Sequence, residues 1–201
     1  MSKKQELRAK SQDLTIMQGC YVGIIFSLFT VFLGCKEEVL PKPNAKLRLE
    51  YLKPVLTELQ TDHFRFDYNE SAKVKIKNST ALTLKYPEMK GEIFINYRKV
   101  DNNIDNLLSD AQKLSYEHSV KADGIIEQPF VSKEHKVYGM FYEVSGNAAS
   151  QAQFYVTDST ENFLTGSLYF LTRPNYDSIY PAAAYLQNDI RGIMETLRWK
   201  E

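Results

Sequence analysis

Few residues in this chain are of types that do chemistry, and their spacing matters more than their number. The histidines are His63, His118 and His135, and the cysteines are Cys20 and Cys35. The three imidazoles are far apart, and no HExxH, paired-cysteine, P-loop, GxGxxG or GxSxG pattern accompanies them. Ser150 follows a turn in "SGNAAS" but lacks the flanking glycines of a nucleophile elbow. His118 falls on the apolar side of a helical repeat, where a histidine is usually a core residue satisfied by one hydrogen bond. Its neighbours Glu117 and Asp123 do not make an acid–base set with it, because adjacent helix residues point in different directions. The reading is of a protein without catalysis, metal or cofactor. Thirteen tyrosines fit half-buried sheet faces and interfaces, with a carbohydrate platform as the alternative.

The strongest chemical signal is Cys35. The preceding run "GCYVGIIFSLFTVFLG", from Gly19 to Gly34, carries no charge and is shorter than the ~20 residues a transmembrane helix needs. Before it stand Lys3, Lys4, Arg8 and Lys10 against Glu6 and Asp13. A positive head, an apolar run and a small residue make the order of a secretory signal. "FLGC" resembles a bacterial lipobox, with Phe32 where leucine is usual. Beyond residue 35 there is no other cysteine, so Cys35 has no disulfide partner in the mature chain, and acylation removes a lone thiol from an oxidising compartment. Cys20 follows Met17, Gln18 and Gly19 without an apolar run and is no rival. One acyl chain holds a protein marginally and two or more hold it stably. "KEEVLPKPNAK" then reads as an extended tether. The expected organisation is a signal over 1–34, a lipidated Cys35 with tether over 35–45, and one globular domain over 46–201.

The body must supply whatever surface the anchor serves. Lys+Arg and Asp+Glu both number 25, so no basic field exists to hold nucleic acid. Runs rich in Tyr, Phe, Val and Ile between Asn, Ser, Asp, Gly or Pro clusters predict strands over 47–52, 63–67, 73–77, 82–86, 92–98, 125–130, 136–144, 152–157 and 164–172. The last three form a meander with turns at "SGNAAS" and "DSTEN". Ile104, Leu107, Leu108, Ala111, Leu114 and His118 predict a first helix over 103–121. Ile179, Ala182, Ala183, Leu186, Ile190, Ile193, Met194 and Leu197 predict a second, beginning near Ser178 with Pro181 in its first turn. Strands apolar on both sides, as where Tyr138, Met140 and Tyr142 alternate with Val137 and Phe141, require a sheet covered on both faces. The expected fold is α+β: an α/β/α sandwich with a largely antiparallel sheet and two main helices.

Within that fold, the segment 145–155 is the candidate interaction surface. Gln151, Gln153 and Tyr155 share one strand face by period-two spacing, and Asn147 and Ser150 add neutral polar groups beside them. Tyr155 would be a rigid aromatic anchor.

Long ordered runs support a family resemblance: "LPKPNAKLRLEY", "ALTLKYPEMKGEIFINY", "DAQKLSYEHSVKADGI", "VYGMFYEVSGNAASQAQFYVTDSTENFLTGSLYF" and "PNYDSIYPAAAYLQNDIRGIMETLRW". From Cys35 to Trp199 the chain resembles the gliding-motility lipoprotein GldD family. Many members carry two cysteines in the early strand region, and "TDHFRFDY" and "STALTLKYP" have none. The resemblance implies a role in gliding of Bacteroidetes, within envelope machinery linked to type IX secretion, and no catalytic residue. The sandwich with its final "ETLRW" is also similar to the Mog1/PsbP type of fold. Lys36-Glu37-Glu38 resembles a short signal that sends lipoproteins of this phylum to the outer surface, favouring the outer membrane. The alternative is an envelope enzyme or glycan-binding domain with its site near 145–155.

Overall fold

A computed structural model describes residues 51–117, 121–172 and 175–200. The strands are β1 (Leu56–Gln60), β2 (Phe64–Asn69), β3 (Lys73–Asn78), β4 (Ala81–Tyr86), β5 (Gly91–Lys99), β6 (Ala122–Ser132), β7 (Val137–Gly146), β8 (Ala152–Thr157), β9 (Asn162–Phe170) and β10 (Arg198–Trp199). The helices are α1 (Ile104–Glu117) and α2 (Tyr176–Thr196). Seven strands make an antiparallel sheet in the order β3-β4-β5-β9-β8-β7-β6, and β1-β2-β10 make a second, smaller sheet. This is the expected α+β architecture, with β6 to β9 extending the expected meander by one strand.

The strand residues explain the layers. Successive side chains point to opposite faces, so Phe154, Val156, Leu164 and Leu168 face one way and Tyr155 and Phe163 the other. The first set joins Ile93, Ile95, Leu84, Phe66 and the buried stripe of α2 (Leu186, Ile190, Ile193 and Met194) in the main core. The small sheet closes that side, through Leu59, Phe64 and Phe66. The second set packs under α1, where Leu107, Ala111, Phe163 and Val100 are buried and Ile104, Leu108 and Tyr155 are partly so. Gly166 is required by the core, because a Cβ there would overlap the Phe154 ring.

The sheet edges are guarded. β3 carries Lys73, Lys75 and Lys77 and an irregular register between Ile76 and Asn78, and β6 carries Pro129, whose ring has no N–H to offer a further strand.

Several expectations shift. Of the strand expected at 47–52, residues 47–50 lie outside the described residues, while Tyr51 and Leu52 are not in a strand. β1 was missed because "LTELQ" is half polar; its pairing with β2 defines it. Beyond the helix stripe that ends at Leu197, Arg198 and Trp199 form β10 by pairing with Arg65 and Phe64. α2 begins at Tyr176 rather than Ser178, so Pro181 sits beyond the first turn. The helix starts early because Asn147 Oδ1, from the β7–β8 turn, accepts a hydrogen bond from the Tyr176 N–H at 2.9 Å.

Candidate functional site

The polar segment 145–155 turns largely inward. Ser150, Gln151 and Gln153 are at most 2% exposed, so they cannot form the surface expected of them. The Ser150 hydroxyl meets the carbonyls of Ala152 and Leu168 at 3.0 and 2.9 Å. Gln151 precedes β8, and its Nε2 donates to the carbonyls of Gly146 and Ala148 at 3.3 and 3.1 Å. Gln187 of α2 donates in turn to the Gln151 carbonyl at 3.0 Å. Gln153 reaches α1, accepting from Ser115 Oγ at 3.4 Å and donating to the Leu114 carbonyl at 3.5 Å. Asn147 caps α2 and stays exposed. Tyr155 is half-buried and stacks on Phe163 with ring centroids 5.7 Å apart. Gln151 falls before β8, so it does not share the strand face expected with Gln153 and Tyr155, and period-two spacing leaves the cover of a face unspecified. Amides beneath a helix look identical in sequence to amides facing water.

Cys35 and His118 lie outside the described residues. His63 and His135 both lie at the end of the molecule made by the β1–β2, β3–β4, β6–β7 and β8–β9 turns and the C-terminus. His63 stacks on Tyr97, with centroids 4.2 Å apart and planes 7° from parallel. The Tyr97 hydroxyl donates to Asn162 Oδ1 at 2.7 Å. Asn162 donates through Nδ2 to Asp158 Oδ2 at 2.6 Å, and Asp158 Oδ1 accepts the N–H groups of Thr160, Glu161 and Asn162, each at 2.9 Å. Burial alone would raise the Asp158 carboxyl, but these donors outweigh it and hold it below its ordinary value. The turn end is therefore built on a rigid, charge-stabilised knot.

Around that knot three grooves adjoin. One of about 380 Å³ runs from Gln60–Asp62 to Asn78–Leu82 and Lys200. A second, of about 470 Å³, lies between α1 and the sheet, with Leu107, Ala111 and Phe163 as floor and Arg98 and Asp110 at the rim. The third, of about 420 Å³, is lined by Glu134, His135, Lys136, Asp158, Glu161, Arg198 and Trp199 among others. Thr80 lines the first and second, and Lys200 the first and third. The rims are charged with both signs, and the Arg98–Asp110 pair is open at 3.9 Å. Sequence reasoning missed this surface because its residues come from five separate turns or strand ends. The nearest signal in the sequence is the final "ETLRW", whose Arg198 and Trp199 line the third groove.

The opposite end of β1 is organised differently. There Asn69 Nδ2 donates to Tyr185 Oη at 2.8 Å and to Asp189 Oδ2 at 3.0 Å. Tyr185 Oη donates to the Leu52 carbonyl at 2.9 Å, and its ring meets Tyr51 at 5.1 Å. Tyr86 lies against Asp189 in the core, where burial and then the Asp189 charge push its hydroxyl well above the usual phenol range. Burial raises the Asp189 carboxyl, with Asn69 and Tyr86 opposing it. This network latches the start of the described chain to α2.

Among the described residues, no group of three or more His, Cys, Asp or Glu side chains is placed to hold a metal, and no helix is long and apolar enough to cross a membrane. A family model described as gliding motility lipoprotein GldD matches residues 36–199. The chain belongs to that family. Membership makes it a membrane-anchored lipoprotein of the cell envelope with a role in gliding motility. No curated protein matches the chain.

Proposed function

We propose that this lipoprotein is a non-enzymatic interaction module, held through acyl chains on Cys35, that assembles or stabilises gliding and type IX secretion machinery. The carrying observation is the junction of three grooves at the turn end, away from the point where the described chain begins. Interfaces of this kind combine an apolar floor with a charged, solvated rim and depend on a few anchors such as Arg and aromatic residues. Leu107, Ala111 and Phe163 supply the floor, and Arg98, Lys200 and Trp199 lie at the rims. The outer membrane is favoured over the inner by Lys36-Glu37-Glu38 directly after Cys35. The family match beginning at residue 36 accords with a mature chain that starts at Cys35.

Charge reversal of the rim tests the reading. Arg98 is well exposed and its ion pair is loose, so its loss costs under about 1 kcal/mol of stability. Arg98→Glu with Lys200→Glu is expected to stop gliding while lipidation, abundance and thermal midpoint stay near the parent's. Normal gliding in that double variant would refute the turn end as the working surface.

A further inference from the structure

The segment Leu52-Lys53-Pro54-Val55-Leu56 is exposed throughout. Leu52, Val55 and Leu56 are 90%, 63% and 56% exposed, whereas the other leucines among the described residues are mostly interior. The outward side of β1 changes along its length: Leu56 is followed at period-two spacing by Glu58 and Gln60. Glu58 is paired to Arg65 at 2.7 Å, as expected of a solvated strand face. Along this segment and β1, apolar exposure is therefore confined to the end where the described chain begins. It is also held in place, since the Leu52 carbonyl is bonded by Tyr185 and the Tyr51 ring rests on the same side chain. Residues 36–51 separate this segment from Cys35, a length that reaches at most about 58 Å when extended. This exposed leucine–lysine–valine–leucine cluster stands at the start of the described residues, the part of them nearest in sequence to Cys35.

We propose that Leu52, Val55 and Leu56 dock into the lipid interface of the membrane to which the chain is anchored, with Lys53 among the headgroups. The chemistry is that of an interfacial anchor: short apolar side chains enter the acyl boundary while an ammonium stays wet. Docking fixes the orientation of the domain and turns the groove-bearing end of β1 away from the lipid. This inference rests on the acylated Cys35 of the reading above.

Because the mature chain has no cysteine besides Cys35, one introduced thiol can carry one probe. Leu52→Cys, Val55→Cys and, as control, Ile76→Cys are made in the full lipidated protein, Ile76 being 64% exposed beside the first groove. Each is labelled with an environment-sensitive fluorophore and reconstituted into phosphatidylethanolamine vesicles containing brominated acyl chains. Flotation of the vesicles reports anchoring independently of the probe. Bromine is expected to quench the labels at 52 and 55 at least roughly twofold more than the label at 76, as insertion of the apolar side chains requires. If the protein floats and all three labels are quenched alike, docking is refuted and the anchor stands. A blue shift at 52 without bromine quenching assigns the patch to protein and also refutes it. Failure to float overturns both readings.

Discussion

Asp158 and Asp189 are both partly buried aspartates, yet their carboxyls move in opposite directions. At the turn end, three backbone N–H groups and an amide converge on Asp158 and hold it ionised. In the latch, Asp189 has Asn69 and Tyr86 for company, and burial prevails. The difference lies in the donors. A turn aims successive N–H groups at one oxygen, whereas a helix residue at mid-length finds only side chains, because its own backbone is engaged. One end is thus rigid by local geometry, and the other by contacts between residues more than a hundred positions apart, such as Asn69 with Asp189.

Removing what lies between the ends should have the largest effect. Leu186 is fully buried and central to the α2 face, so Leu186→Ala is expected to cost about 2–5 kcal/mol by denaturant unfolding. Leu108, on the sheet-facing side of α1, is only partly buried, and Leu108→Ala should fall below that range. Equal losses would mean that both faces of the sheet bear the fold alike. Next, Asn69→Ala strips two hydrogen bonds from the latch and should cost about 1–3 kcal/mol. It should also speed proteolysis near Leu52 while leaving the 135–162 region protected. Uniform loss of protection would merge the two ends into one cooperative unit.

The smallest effect is the most diagnostic. Asp189 has a folded pKa above 3.8, so its contribution is present below 3.8 and is lost as pH rises through the folded value. Asp158 has a folded pKa below 3.8, so its contribution is present above 3.8 and is lost as pH falls through the folded value. Replacing each by asparagine and following the denaturant midpoint from acid to neutral pH should change the slope in opposite senses. Asp189→Asn should gain on the parent as pH rises, and Asp158→Asn should lose. Slopes of one sign would contradict the contrast.

The fold was legible where burial set the pattern. β8 runs from Ala152 to Thr157 as its alternation requires, and α2 buries the stripe that its spacing named. Elements defined by a partner rather than by their own composition were not legible. β1 and β10 exist because β2 lies between them, and α2 begins where a distant Asn147 provides an acceptor. The same limit hid the site. Gln151 and Gln153 have the composition of a surface and the environment of a core, so Gln151→Ala would report on folding before function. The grooves gather residues from turns whose sequences each read as plain punctuation.

On the reading proposed above, one end of the domain serves the membrane and the other a protein of the machinery. Photo-crosslinking in gliding cells tests it directly, with a photoreactive residue placed at Lys200 in one strain and at Leu52 in another. The account predicts that the probe at 200 yields discrete protein adducts that vanish with Arg98→Glu, and that the probe at 52 yields lipid adducts. Protein adducts from 52, with none from 200, would contradict it.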